Sequence, residues 1–203
     1  MSADVHAVIR ALVEQIEPLD HLEEEHRAEA LAWIDGSRDL FRRVSSPVAP
    51  RMHLVSYFLL VDGRDGSVLL GDHRKADLWL PSGGHVEPGE HPVQTVRREC
   101  VEELAVEARF APAVGERPLF VTVTETAKPV DPHRDVSLWF ILESSRDERL
   151  RPDPGEYRSV RWWSRTEVAA ADPALFDPHL PRLLGKLGKI SPERDEIAFG
   201  DLL

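Results

Sequence analysis

Between Gly83 and Val106 the chain reads GGHVEPGEHPVQTVRRECVEELAV, and this stretch limits the fold more than any other. A glycine-rich turn runs into a helical pattern that makes two demands on its surroundings. On a helix of about 3.6 residues per turn, Val93, Val96, Cys100 and Leu104 fall on one stripe. Glu99, Glu102 and Glu103 gather in the neighbouring arc, with Arg98 on the far side of Glu102. The stripe must pack on a sheet. The carboxylates repel, and each like-charge pair at such spacing weakens a helix by about 0.2–0.5 kcal/mol. Three glutamates on a helix are most often a solvated face. Here they follow a tight turn, and together they suit a hard divalent cation.

The rest of the chain supplies the sheet. From His53 to Val61, HLVSYFLLV is β-branched and aromatic, DGRDG is a turn, and Ser67 to His73 is a second strand, so the pair reads as a hairpin. Strand patterns follow at Pro118–Thr126, Asp135–Glu143 and Tyr157–Ser164, where Trp162 and Trp163 must face opposite ways. Ahead of the sheet, Val5, Val8, Ile9, Leu12, Val13 and Ile16 recur at helical spacing up to Pro18. Asp20 and Glu23 form a capping box for a second helix, with Leu22, Ala30, Leu31 and Ile34 as its apolar side and Gly36 as its stop. Ser46 to Pro50 reads as a linker. Ser164 with Glu167 caps a short helix, and LPRLLGKLGKI near the C-terminus reads as another. The order predicts an α+β fold with a mixed sheet. The divisions are a helical extension over residues 1–49, a main domain over 50–165, and a C-terminal helical segment over 166–203 that packs on it.

Composition excludes several classes. A net charge of −11 over 203 residues, with no sustained Lys/Arg run, argues against nucleic acid as partner. A small anionic ligand would need a local cation. A single cysteine, Cys100, permits no intrachain disulfide; it would be a reactive thiol or, as its place on the apolar stripe favours, inert filler. No apolar run approaches the ~20 residues of a membrane span, and the N-terminus lacks a signal-peptide pattern. The expectation is a cytoplasmic protein with no membrane partner.

The chemistry of the glutamate arc is that of Mg²⁺, which prefers oxygen ligands and commonly shares its sites with phosphates. Gly83 and Gly84 let the backbone turn tightly and approach a ligand closely. The stretch resembles the Nudix box, G-x5-E-x7-R-E-U-x-E-E-x-G-U, with U a bulky apolar residue. Gly84 takes the first glycine, Glu90 follows five residues later, Arg98-Glu99 after seven more, then Cys100 at a U position, Glu102-Glu103, and Val106 at the end. At ~7% per specified position, six matches arise by chance roughly once in 10⁷ windows, so the signal is strong. There are two departures: Cys100 is small for a U position, and Ala105 replaces the last glycine and, as the better helix former, is expected to extend the last turn.

The resemblance implies an α/β/α sandwich around a mixed sheet. It implies a hydrolase that cuts the diphosphate linkage of a nucleoside diphosphate derivative. Glu99, Glu102 and Glu103 would bind Mg²⁺, or Mn²⁺, with the Gly83 carbonyl, while Glu90 and Arg98 pair to hold the loop against the helix. Glu143, at a strand end, is similar to a late glutamate that some members use as an extra ligand or base. The general look of the chain resembles the branch acting on (d)NTPs, including oxidised guanine nucleotides. The alternatives are an ADP-ribose or nucleotide-sugar pyrophosphatase, and a module that senses a nucleotide without cutting it.

Outside the box, His73, Arg74 and Lys75 would grip substrate phosphates or lie in an exposed loop. Trp79 would stack on a base or, more readily, pack under the loop. His85 reads as a surface loop residue, and Glu156 as a loop charge or a base. The N-terminal helices fit three roles: a cover for the domain, a homodimer interface, or a wall of the substrate cleft.

Overall fold

A computed structural model of the chain describes residues 5–41, 52–125 and 133–190. The linker expected at Ser46–Pro50 lies outside those residues. Two helices lead, α1 (Val5–Glu14) and α2 (His21–Gly36). Then come β1 (Met52–Asp62), β2 (Val68–His73), β3 (Leu78–Leu80), β4 (Ser82–His85), α3 (Pro92–Leu104), β5 (Phe120–Glu125), β6 (Arg134–Ser144) and β7 (Tyr157–Trp163). α4 (Arg165–Ala170), a 3₁₀ turn (Pro173–Leu175) and α5 (Leu180–Ile190) end the described chain. β3 and β4 carry three and four residues, too few for a period to announce them.

The strands form one mixed sheet in the order β3-β2-β1-β6-β5, with β4 also on β1 and β7 also on β2. β1 and β6 run parallel in full register from Met52↔Arg134 to Asp62↔Ser144, and the other pairings are antiparallel. The central pair carries apolar side chains on both faces, as strands covered from both sides do. Leu54, Phe58 and Leu60 of β1, with Val136, Leu138, Phe140 and Leu142 of β6, face α1, α2 and the α3 stripe of Val93, Val96, Cys100 and Leu104. Leu59, Trp139 and Ile141 face the other way, toward Val168 of α4 and Leu180, Leu183 and Leu187 of α5. This is the expected α/β/α sandwich, and α5 is one of its layers. Trp163 is buried in the second core while Trp162 packs against the first. Among the described residues no helix is long and apolar enough to cross a membrane.

α2 departs from its expected face. Asp20 caps it, accepting from the Glu23 N–H at 2.9 Å, and Ala30 and Ile34 are buried. Leu22, however, is 41% exposed and Glu23 is fully buried. The Glu23 carboxylate accepts from the Leu19 N–H and from Lys186 Nζ of α5, both at 2.6 Å. Arg182 of α5 holds Asp20 one turn away. The start of α2 is thus tied to the helical layer on the opposite side of the sheet, while its body packs on β5. The ion pair turns Glu23 inward, and Leu22, next to it on the helix, is displaced outward.

Lys186→Met leaves the Glu23 charge buried and unpaired, a change expected to cost about 3–5 kcal/mol. Adding Glu23→Gln keeps the acceptor for Leu19 and strands no charge, so the double variant recovers most of that loss. Urea unfolding of the two variants measures the difference.

Candidate active site

The loop before α3 is shaped by two glycines with different tasks. Gly83 sits at φ +137°, and a Cβ there would lie 2.2 Å from the Ser56 carbonyl oxygen of β1. Gly84 makes room for a side chain, since a Cβ on it would stand 2.2 Å from Glu99 Oε1. Glu99 can therefore rest against the β4 backbone, and no larger residue at 84 would admit it. β4 is held flat by its pairing with β1, Tyr57↔Gly83 and Ser56↔Gly84.

Arg98 closes the loop onto the helix. Its Nε and one terminal nitrogen each donate to Glu90 at 3.0 Å, and it also donates to the His85 carbonyl at 3.2 Å. The other terminal nitrogen donates to Glu99 at 2.7 Å and Glu102 at 3.2 Å. A forked guanidinium suits this bidentate task. Glu90 further accepts from Thr95 Oγ1 at 2.8 Å and from the Glu87 N–H at 3.1 Å. Burial opposes the Glu90 charge, but Arg98 and these two donors outweigh it and hold its carboxyl below the usual glutamate value. His91 caps α3 through Nδ1, and Gln94 completes the box.

The three expected metal ligands share one side of α3 in graded burial. Glu102 is 58% exposed at its side chain, whereas Glu99 and Glu103 are buried. Burial pushes the Glu99 carboxyl up against the pull of Arg98. Burial pushes Glu103 up further, to about 7, although Tyr157 and the Gly83 N–H donate to it. Glu103 Oε2 accepts from Tyr157 Oη at 2.5 Å and from the Gly83 N–H at 3.1 Å. Tyr157 Oη is also 2.8 Å from Ser82 Oγ. Two buried carboxylates beside an exposed third, with no lysine or second arginine joined to them among the described residues, form a donor set that fits a hard divalent cation.

Tyr157 is the site residue that sequence reasoning missed. The sequence marks it as the start of a strand, and nothing local shows that β7 pairs with β2 and brings its hydroxyl to Glu103.

The remaining expected residues stand elsewhere. Arg74 donates to the Pro154 and Tyr157 carbonyls at 2.7 and 3.1 Å. Lys75 Nζ and His73 Nε2 meet Glu156 at 2.8 and 3.3 Å. His73, Arg74 and Lys75 thus tie down the loop that delivers Tyr157. Trp79 packs edge-on against Trp163, with centroids 5.3 Å apart. Glu143 is exposed at the far end of β6, opposite Val61, where it lines a cavity of about 160 Å³ with Gly63, Ala111 and Leu187. The fold does not bring it to the α3 glutamates.

Ala105 corrects another expectation. α3 stops at Leu104, and Ala105 takes the left-handed conformation at φ 56°, ψ 40°. Its N–H returns to the Val101 carbonyl at 3.1 Å, and the Val106 N–H to that of Cys100 at 3.2 Å. The chain must turn here to send Val106 into the core, so geometry overrides helix propensity.

The family model for the NUDIX domain matches residues 52–184, from the start of β1 into α5. No curated protein matches the sequence. Among solved structures, an E. coli dihydroneopterin triphosphate pyrophosphohydrolase is similar at TM-score 0.51 and 17% identity, over 73% of this chain and 97% of that one. A C. elegans Ap4A hydrolase gives 0.51 at 16%, over 68% and 97%. A MutT NUDIX hydrolase from Burkholderia pseudomallei gives 0.49 at 20%, over 66% and 95%. At such identities the first two show a likeness of fold alone.

Ala105→Gly is expected to raise stability by about 0.5–1 kcal/mol in chemical denaturation, because glycine adopts the left-handed cap without a Cβ penalty. Glu103 should leave a pH signature when divalent ions are chelated. With its folded value near 7 and its ordinary value at 4.5, the folded state holds a proton that the unfolded state has lost. Stability should then fall by roughly 3 kcal/mol as pH rises through that window. In Glu103→Gln that part of the slope should vanish.

Proposed function

As a member of the NUDIX domain family, the chain is a hydrolase of phosphorus-containing acid anhydrides, and we propose that it cuts the diphosphate linkage of a nucleotide with Mg²⁺. The substrate we infer is a (d)NTP or an oxidised or modified NTP, released as NMP and pyrophosphate. The observation that carries this reading is the arc of Glu99, Glu102 and Glu103 on one side of α3, oriented by Arg98 and Tyr157 beside the Gly83–Gly84 turn. Its donors are all oxygens, the set that Mg²⁺ takes and Mn²⁺ tolerates.

A bound divalent cation would neutralise phosphate charge and make a water more acidic. The protein's own residues do the positioning. Glu99, Glu102, Glu103 and the Gly83 carbonyl would hold the cation. Arg98 keeps Glu99 and Glu102 pointed the same way. It also fixes the loop through Glu90, so the turn stays against the helix while ligands exchange. Tyr157 and the Gly83 N–H both land on Glu103 Oε2, which sets the plane of that carboxylate.

Glu102→Gln and Glu103→Gln should each lower Mg²⁺-dependent turnover by more than ~100-fold, since even an outer-shell partner of a metal costs ~10–100-fold. Circular dichroism should show both folded. The assay panel is dNTPs, oxidised NTPs, dihydroneopterin triphosphate, Ap4A, ADP-ribose and nucleotide sugars. Pyrophosphate with NMP supports the proposal, whereas NMP with a sugar phosphate moves the chain to nucleotide-sugar cleavage. A wild type that binds one of these tightly and hydrolyses none would mark a sensing module and overturn catalysis.

A further inference from the structure

β4 has a second face. His85 is the Cα partner of Val55 on β1, and Asp135 of β6 is the partner of His53. His53 and Val55 lie two residues apart on one strand, so all these side chains leave the sheet on the same side. That side is opposite to the one carrying Leu54 and Val136, on which α3 rests. His133, one residue before β6, joins them.

The four side chains converge on one point. Asp135 Oδ1 lies 3.5 Å from His133 Nε2, 3.6 Å from His85 Nε2 and 3.9 Å from His53 Nδ1. One ligand atom from each residue falls within 4.8 Å of all the others. These separations are long for hydrogen bonds. The three distances from Asp135 Oδ1 lie within about 0.5 Å of the ~3.4 Å edge of a tetrahedron whose centre binds N and O at about 2.0–2.1 Å, and the other pairs would draw in around an ion. Two of the atoms at the centre, His85 Nε2 and Asp135 Oδ1, are buried with no hydrogen-bond partner. Asp135 is 7% exposed, and among the described residues it has no lysine or arginine beside it. A buried carboxylate left so is costly unless a cation neutralises it. The His85 side chain, 29% exposed, is the side open to solvent.

We propose that His53, His85, His133 and Asp135 form a closed site for a divalent transition-metal ion of the zinc class, on the sheet face opposite the box glutamates. Three imidazoles and one carboxylate suit Zn²⁺, Co²⁺ or Ni²⁺ and not Mg²⁺. Four protein ligands leave no open position, so the ion is structural and not a second catalytic metal. It clamps β1, β4 and β6 together immediately after Gly83–Gly84. It also anchors His85, whose carbonyl receives Arg98.

The test uses untagged full-length protein, stripped with a chelator and titrated with Co²⁺ while excess Mg²⁺ fills the carboxylate site. The expected result is the intense visible absorption of tetrahedral Co²⁺, saturating near one ion per chain and displaced by Zn²⁺. Asp135→Asn and His85→Gln should each weaken Co²⁺ binding by ~100-fold or more, whereas Glu102→Gln should leave the spectrum unchanged. His85 is partly exposed, so its variant decides the matter if Asp135→Asn does not fold. Zn²⁺ should raise the melting temperature of the wild type and not of His85→Gln. A weak octahedral spectrum, no binding, or bands that persist in His85→Gln would overturn the site, leaving a histidine–aspartate cluster held by protons alone.

Discussion

Everything at the box depends on one guanidinium. Arg98 joins Glu90 in the loop, Glu99 and Glu102 on the helix, and the His85 carbonyl at the end of β4. Without it, three glutamates and a glycine turn would share a neighbourhood but not a geometry. It offsets part of the repulsion in the arc and still leaves Glu103, whose carboxyl burial pushes up, to Tyr157 and a backbone N–H. The remaining charge deficit is the physical case for a cation, because carboxylates buried side by side stay ionised only when something positive is near.

The sheet makes that arrangement rigid. β1 and β6 pair over their full lengths, and their apolar side chains fill the space on both sides. β4 is a short ribbon laid on β1, with Gly84 facing the glutamates and His85 facing the histidine cluster. The two groups are neighbours in sequence and opposites in space. The N-terminal helices add a tie of another kind. α2 packs on β5, and its first turn reaches α5 through Glu23–Lys186 and Asp20–Arg182. The extension thus braces the edge of the sandwich and joins its two helical layers, the sort of covering role among those open to it from the sequence.

Much of this was legible in the chain because it is local. Periods of two and of 3.6 marked the long strands and the helices. The spacing of Gly84, Glu90, Arg98, Glu99, Glu102 and Glu103 carried the box, since a helix turns that spacing directly into a shared face. Ser164–Glu167 formed the cap that its pattern announced. Where local rules failed, a longer-range demand had overruled them. Ala105 bends left-handed because Val106 must enter the core, and Glu23 turns inward because Lys186 waits on another helix.

The amino-acid sequence by itself determined the class of the fold, the family and the acidic face of α3, since each rests on residues within a few turns of one another. Only the tertiary structure decided that Tyr157 meets Glu103, that His73, Arg74 and Lys75 brace the loop before it, that Glu143 stands apart, and that His53, His85, His133 and Asp135 face one point. Those outcomes follow from strand register. A pairing between segments tens of residues apart leaves no period in either, and a slip of a single residue would send each of these side chains to the other face.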